Sequence, residues 1–459
     1  MAGLCEGGNE PPGSLKASKR KSLTASGGGD LQPCVVHPCN LQRNLYLSFD
    51  YCHIIKNIRS QFLDHDMADK EGTISSKFIK EIYRIQKDLA VKPFRFLTRK
   101  HVEPSSFEKM NVLYAVQTFS LEVTSTLDYM KENHLRLTSR VNFSEAGPTI
   151  RFMKNVYKFF TVHDISDKTQ HLRRSNPDSM MFYSAADDRL RWLKDDFCDY
   201  INELQTESKT RNLKGLTKET HGALILTAES TASCIVHLLQ NGFFYVLTRA
   251  FSGDPVEAMF SAIRMGGGWN DMTDSRTAQN AINRILKSGL LISAPDANIA
   301  HEERSEMTGK GLSREENNYC DISSQTTVIL PQHISVLLES IYEPCMPVFI
   351  NLGTASQALV CGYLVRVIEE KTSCSSCAND VSIPPTAAPL MGLIHKLDKG
   401  GLRYPKPDFV SLIITLQKFV EGALPYCMKS AHLLQTITNY VLPTLEQCDI
   451  LKCSNEKSH

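Results

Sequence analysis

The sequence lacks an excess of either charge. Lys and Arg number 51 against 50 Asp and Glu, a net charge of +1, so a surface for a polyanion has to be a local patch. A secretory signal is missing too, because the opening MAGLCEGGNEPPG has neither a basic start nor an apolar run. The longest uncharged run, Pro344–Val365, is interrupted by Pro347, Asn351, Gly353, Thr354, Ser356 and Gln357, which suits a buried segment better than a membrane span. There is no G-x-x-x-x-G-K-[ST] phosphate loop, no internal repeat and no heptad register. Together these absences argue against an exported protein, a membrane protein, a repeat solenoid, a coiled coil and a P-loop nucleotidase. The 14 cysteines are scattered, and thiols in a reducing compartment are expected. The expectation is a soluble intracellular protein, nuclear or cytoplasmic.

With 459 residues, 42% of them hydrophobic, the chain can bury a sizeable core in several domains. Residues 1–37 form an N-terminal segment expected to be disordered, since residues 1–31 are rich in Gly, Ser, Pro and Lys and too poor in apolar side chains to bury a core. Its KASKRKS run reads equally as a nuclear-import address, a phosphate contact or a solvated tail. In residues 38–62, NLYLSFD alternates Leu45, Leu47 and Phe49 on one face, a half-buried strand ending at Asp50. HIIKNIRSQFL then spaces Ile54, Ile55, Ile58 and Phe62 as a helix, with Lys56 and Arg59 facing away. Residues 63–219 read as a largely helical block, and 220–295 as a helix, a short strand, a turn and two further helices. A polar loop is expected at 296–327, an apolar block with the pair Cys374 and Cys377 at 328–385, and a helical region at 386–459. Phe243, Phe244, Tyr245 and Trp192 are expected in the core.

Two acids stand out. Asp50 ends the strand pattern and precedes a helix. In FSGDPVEAMFSAIR, Asp254, Pro255 and Glu257 open another helix, as a capping box would. Capping explains each acid by itself. The alternative takes them together: two-metal phosphoryl transfer on nucleic acid needs Asp and Glu, because Mg²⁺ prefers hard oxygen ligands. A ribonuclease-H-like core places such acids on strand ends and on a later helix. Asp50 and Glu257 fit that plan if a helical domain is inserted between them, and residues 63–219 can be that insertion. The fold class expected is therefore α/β plus mostly α: a partial ribonuclease-H-like core interrupted by a largely helical insertion, with a helical C-terminal region.

FDYCHIIKNIR resembles the D-x-x-H strand–helix motif of P-element-type DNA transposases, and LTRAFSGDPVEAMFSAIRMGGGWNDMT resembles that family's segment carrying the last catalytic Glu. LVCGYLVRVIEEKTSCSSC is similar to its later G-Y segment with a Cys pair, and VKPFRFLTRKHV, EKMNVLYAVQTFS and GPTIRFMKNVYKFFTVHD are similar to its inserted domain. The resemblance runs from about residue 38 to about residue 450. It implies a Mg²⁺-dependent cut-and-paste transposase fold with a GTP-binding insertion, acting on transposon-end DNA. Carried over by position, Asp50 matches the second catalytic Asp and Glu257 the catalytic Glu, both holding metal. Asp254 matches an acid beside the nucleotide and its Mg²⁺. Asp164 and Asp167 are candidates for the guanine edge, with exposed loop acids as the alternative role.

The chain also departs from the family. The first catalytic Asp lies upstream of the strand that ends at Asp50, and the only acids before Asp50 here are Glu6, Glu10 and Asp30, none on an apolar strand. The zinc-dependent DNA-binding module has no counterpart, because Cys34, His37 and Cys39 lack a completing pair. Zinc at Cys374 and Cys377 is not expected either, since further ligands would have to come from Cys448, Cys453 or His459. The reading is a transposase-derived chain that is catalytically incomplete, with a non-catalytic GTP-binding or protein-interaction module as the alternative. Lys56, Arg59, Arg249 and Arg264 are candidates for DNA phosphates or for solvated faces. A homo-oligomer is left open.

Overall fold

Apolar side chains three and four residues apart dominate the sequence, and most of the chain accordingly folds as helices in the computed structural model. The structure describes residues 32–89, 91–93, 96–134, 139–266, 272–288, 330–340, 350–372, 374–428 and 433–446. The N-terminal tail through residue 31 and the polar loop at 296–327 lie outside these, as do Cys448, Cys453 and His459. In chain order the principal elements are strands β1 (Cys34–His37) and β2 (Asn40–Tyr46), then helices α1 (Tyr51–Asp64), α2 (Lys77–Lys87), α3 (Leu121–Glu132), α4 (Gly147–His163), α5 (Phe197–Thr210), α6 (Lys218–Gln240), α7 (Asp254–Gly266), α8 (Leu352–Lys371) and α9 (Pro407–Cys427). The chain divides into two compact units, one of residues up to Lys70 with Lys158–Gly253, the other of Glu71–Tyr157 with residues from Asp254 onward.

In the first unit β1 and β2 pair antiparallel, Cys34 opposite Tyr46. The strand stops at Tyr46 rather than reaching Asp50. Its partner is only four residues long, and the next backbone groups bond elsewhere: Leu47 N–H donates to Pro33 O, and Phe49 N–H to Thr227 Oγ1 of α6. The hairpin is not half-buried either, because Leu41 and Leu45 of β2 are exposed, as is Phe49 beyond it. Helix α1 buries Ile54, Ile55, Ile58 and Phe62 as the spacing requires, but Arg59 is buried with them at 0% exposure. Arg59 lies one turn from Ile55 on the same face, so position overrides residue type, and Arg59 cannot reach a DNA phosphate. Phe159 of α4 stacks on Phe197 of α5, ring centroids 5.0 Å apart. Helix α6 is long and apolar enough to cross a membrane by composition, and it buries Leu224, Leu226, Ala228 and Ile235.

The aromatic run after α6 departs most from expectation. Phe243, Phe244 and Tyr245 are 56%, 91% and 36% exposed, not core. Gly242, at φ +92°, takes a left-handed conformation after the helix end, and the chain returns to the interior only at Val246, which bridges Phe182. Trp192 is half-buried, with the Lys158 ammonium 4.3 Å from its ring centre.

In the second unit Phe119 and Phe152 meet edge to face, and Phe78 packs on Phe143. Helix α8 buries Ala358, Cys361 and Val365 against Tyr404, Phe409 and Val410. Gly362, the glycine of the G-Y segment, is there for space: a Cβ would lie 2.4 Å from the Arg403 carbonyl oxygen. Cys374 is buried at the N-cap of the helix Ser375–Val381, and Cys377 is half-buried.

Candidate functional site

Asp50 occupies the N-cap of α1 with extended backbone (φ −64°, ψ 117°). Its Oδ1 accepts from the Cys52 N–H at 3.0 Å, satisfying one of the helix's open donors. Its Oδ2 lies 2.6 Å from His53 Nδ1, one turn into the helix. The D-x-x-H spacing thus folds into a carboxylate–imidazole pair, the imidazole side 58% exposed and the carboxylate 18%. Gly253 stands beside it, where a Cβ would come 3.5 Å from Oδ2, an ordinary contact distance. Both carboxylate oxygens are thus held within the first turn of the helix, one by a backbone N–H and one by an imidazole.

Glu257 and Asp254 belong to the second unit, in the first turn of α7, which starts at Asp254. Glu257 is exposed. Acids in a first turn complement the positive end of the helix.

Asp164 is not an exposed loop acid. It follows α4 directly and is 7% exposed. Tyr51, the residue after Asp50, donates its hydroxyl to Asp164 Oδ1 at 3.1 Å. Arg174 Nη1 lies 3.3 Å from Oδ2, and Arg249 Nη1 3.6 Å from Oδ1. The Asp164 carbonyl accepts from Gln170 Nε2 at 2.7 Å. Burial pushes the Asp164 carboxyl above its usual range, and the two arginines and Tyr51 oppose that only in part. Next to it, His163 is buried with Nδ1 2.7 Å from Phe159 O and Nε2 3.2 Å from Thr231 Oγ1. Burial lowers its pKa to about 4, so the ring is neutral near pH 7. The Tyr51 ring packs on Phe160 and His163.

Asp167 is half-exposed. Its Oδ1 accepts from the Thr169 N–H and hydroxyl, and its Oδ2 pairs with Arg173. The structure therefore gathers Tyr51, His163, Asp164, Arg174 and Arg249 into one buried cluster whose first member adjoins Asp50 in sequence. Tyr51, His163 and Arg174 were not singled out in the sequence. Only Tyr51 carried a signal, being apolar in body and polar at its tip beside the D-x-x-H motif. Of the proposed phosphate contacts, Arg249 is committed to Asp164, Lys56 is half-buried, and Arg264 is exposed in the second unit.

The family model of the TNP-like, GTP-binding insertion domain matches residues 52–174. Among solved structures, the chain is similar to a protein of the Drosophila P element transposase strand transfer complex, at 18% identity, covering 60% of this chain and 59% of that chain, with a TM-score of 0.47. The chain thus spans 59% of the length of the solved chain it matches. No curated protein gives a significant match. The match over residues 52–174 supports P-element-type transposases as the family.

Proposed function

We propose that this chain derives from a Mg²⁺-dependent DNA transposase and keeps a GTP-binding insertion within a ribonuclease-H-like setting. The observation that carries the reading is Asp50: a partly exposed carboxylate with one oxygen on its own helix and the other on His53, beside Gly253, the residue before the helix that opens with Asp254 and Glu257. Asp50 and Glu257 are the residues proposed to hold Mg²⁺. A bound divalent ion would supply charge for a phosphoryl oxygen and an activated attacking oxygen. The protein's own part is to fix the direction of Asp50 through Cys52 N–H and His53.

GTP is proposed as the nucleotide, on the strength of the domain family. Asp254 would stand beside its phosphates and Mg²⁺, and Asp167 and Asp164 would face the base. Asp164 can do so only by exchanging one of its present partners. Asp164→Ala should therefore lower both stability and GTP affinity, whereas Asp167→Asn should lower GTP affinity alone.

The test is a melting curve with Mg²⁺ and GTP against ATP. A GTP-selective rise is expected, because ligand at a hundred times its dissociation constant adds about 2.7 kcal/mol to the native state. No rise at millimolar GTP removes the nucleotide from the reading. Mg²⁺-dependent nicking of DNA by the chain, lost in Asp50→Ala and Glu257→Ala, would overturn the expectation of inactivity.

A further inference from the structure

Four exposed rings stand at and just before one bridge after α6, and neither the metal reading nor the nucleotide reading uses them. Phe182 and Val246 bridge each other through two backbone hydrogen bonds, at 3.1 and 2.8 Å, and both are buried. Their neighbours Tyr183 and Tyr245 must point the other way, because side chains alternate across a pleated pair. Tyr183 is 60% exposed, and beyond Tyr245 stand Phe243 and Phe244.

The bridge is held rigidly. The Arg189 guanidinium packs 4.1 Å from the Phe182 ring centre beneath it. Buried Thr248, two residues after the bridge, donates its hydroxyl to Val162 O at 2.6 Å. On the outer side the Lys168 ammonium sits 4.3 Å from the Tyr245 ring centre and makes no ion pair among the described residues. The neighbouring Asp167 is already taken by Arg173. A ligand for this surface must therefore present flat rings and a negative charge close to them.

We propose that Tyr183, Phe243, Phe244, Tyr245 and Lys168 form a stacking site for single-stranded nucleic acid. Unpaired bases lie on the rings, and Lys168 meets a backbone phosphate. Stacking needs a π-face rather than a particular base edge, so the site is tolerant of sequence. A paired duplex keeps its base faces covered and cannot use it.

The test is fluorescence anisotropy of the full chain with a labelled oligothymidylate about 15 nucleotides long, with the same strand annealed to its complement as competitor. The single strand should bind, and the duplex should compete poorly. Phe244→Ala should weaken binding roughly tenfold, and so should Phe243→Ala. Phe244→Trp should keep affinity and Phe244→Leu should lose it, separating stacking from mere apolar area. Lys168→Gln should weaken binding and flatten its salt dependence. Both phenylalanines are exposed, so unchanged melting temperatures should accompany these losses. No binding by the unaltered chain, equal binding by Phe244→Leu, or self-association through the patch without nucleic-acid binding would each overturn the proposal. None of these readouts depends on GTP or Mg²⁺, so failure here leaves the metal and nucleotide reading standing.

Discussion

Two buried carboxylates, one in each unit, show how differently the same burial can act. Glu81 of α2 is 5% exposed and Asp164 after α4 is 7%. Glu81 takes both guanidinium bonds of Arg84, at 2.7 and 2.8 Å, plus the Arg140 N–H at 2.8 Å and the Ser139 hydroxyl at 3.1 Å. Hydrogen bonding from Arg84 outweighs burial and holds its pKa down at about 2. Asp164 also has two arginines, but at 3.3 and 3.6 Å, and the Tyr51 hydroxyl lies nearer, at 3.1 Å. There burial wins, and the pKa goes up. Tenths of an ångström and the number of direct donors decide which acid stays comfortably ionised. Glu81 is a fixed strut, while Asp164 is an acid able to change partners.

Removing either acid should have the largest effect. Asp164→Ala, which strands Arg174 and Arg249, should cost about 3 kcal/mol in a urea titration, as loss of one partner in a buried network does. A cost below about 1 kcal/mol would mean that the two arginines find solvent, and the idea of a tight buried cluster would fail. Acid titration comes next. Glu81 has a lowered folded pKa, so its contribution is complete above the unfolded value of 4.5 and is lost as pH falls through about 2. About 3 kcal/mol should disappear across that fall in pH. Asp164 has the opposite sign: with its folded pKa raised, lowering the pH through that value adds stability, and the gain ends at the unfolded value of 3.8. His163 acts earlier, its contribution complete above 6.5 and lost as pH falls through about 4. Acid unfolding curves of Glu81→Gln and Asp164→Asn should therefore shift in opposite directions.

The amide variants sharpen the contrast at neutral pH. Glu81→Gln should cost about 1.5–3 kcal/mol through loss of charge-assisted bonds, and Asp164→Asn under about 1 kcal/mol, because burial already disfavours that charge. Equal costs would abolish the distinction. A small effect is likewise expected from Asp50→Ala, about 1 kcal/mol for a lost helix cap, measured by thermal unfolding. A neutral result would mean that the capping bond contributes little.

The apolar face of α1 and the acid-plus-histidine turn were legible in the sequence because they depend on neighbours within one helical turn. The partners of Asp164 were not, since Arg249 lies far along the chain and nothing local announces the pair. Arg59 was misread by residue type, although its spacing from Ile55 already put it on the buried face. The rings at 243–245 were misread because aromatics usually carry the core, whereas one left-handed glycine directs them outward. Gly362 could be matched to a motif from sequence, but its reason appears only with the carbonyl of Arg403 packed against it.

The bond from Cys52 N–H to Asp50 has a further consequence. A side chain already immobilised by its own helix has little rotational entropy left to surrender when a ligand arrives. Ordering a free side chain costs about 0.5–1.5 kcal/mol, and Asp50 has met most of that cost in folding. An incoming cation has only to take the place of the imidazole at Oδ2, so the selectivity of the position becomes a contest between an ion and His53 over a single oxygen.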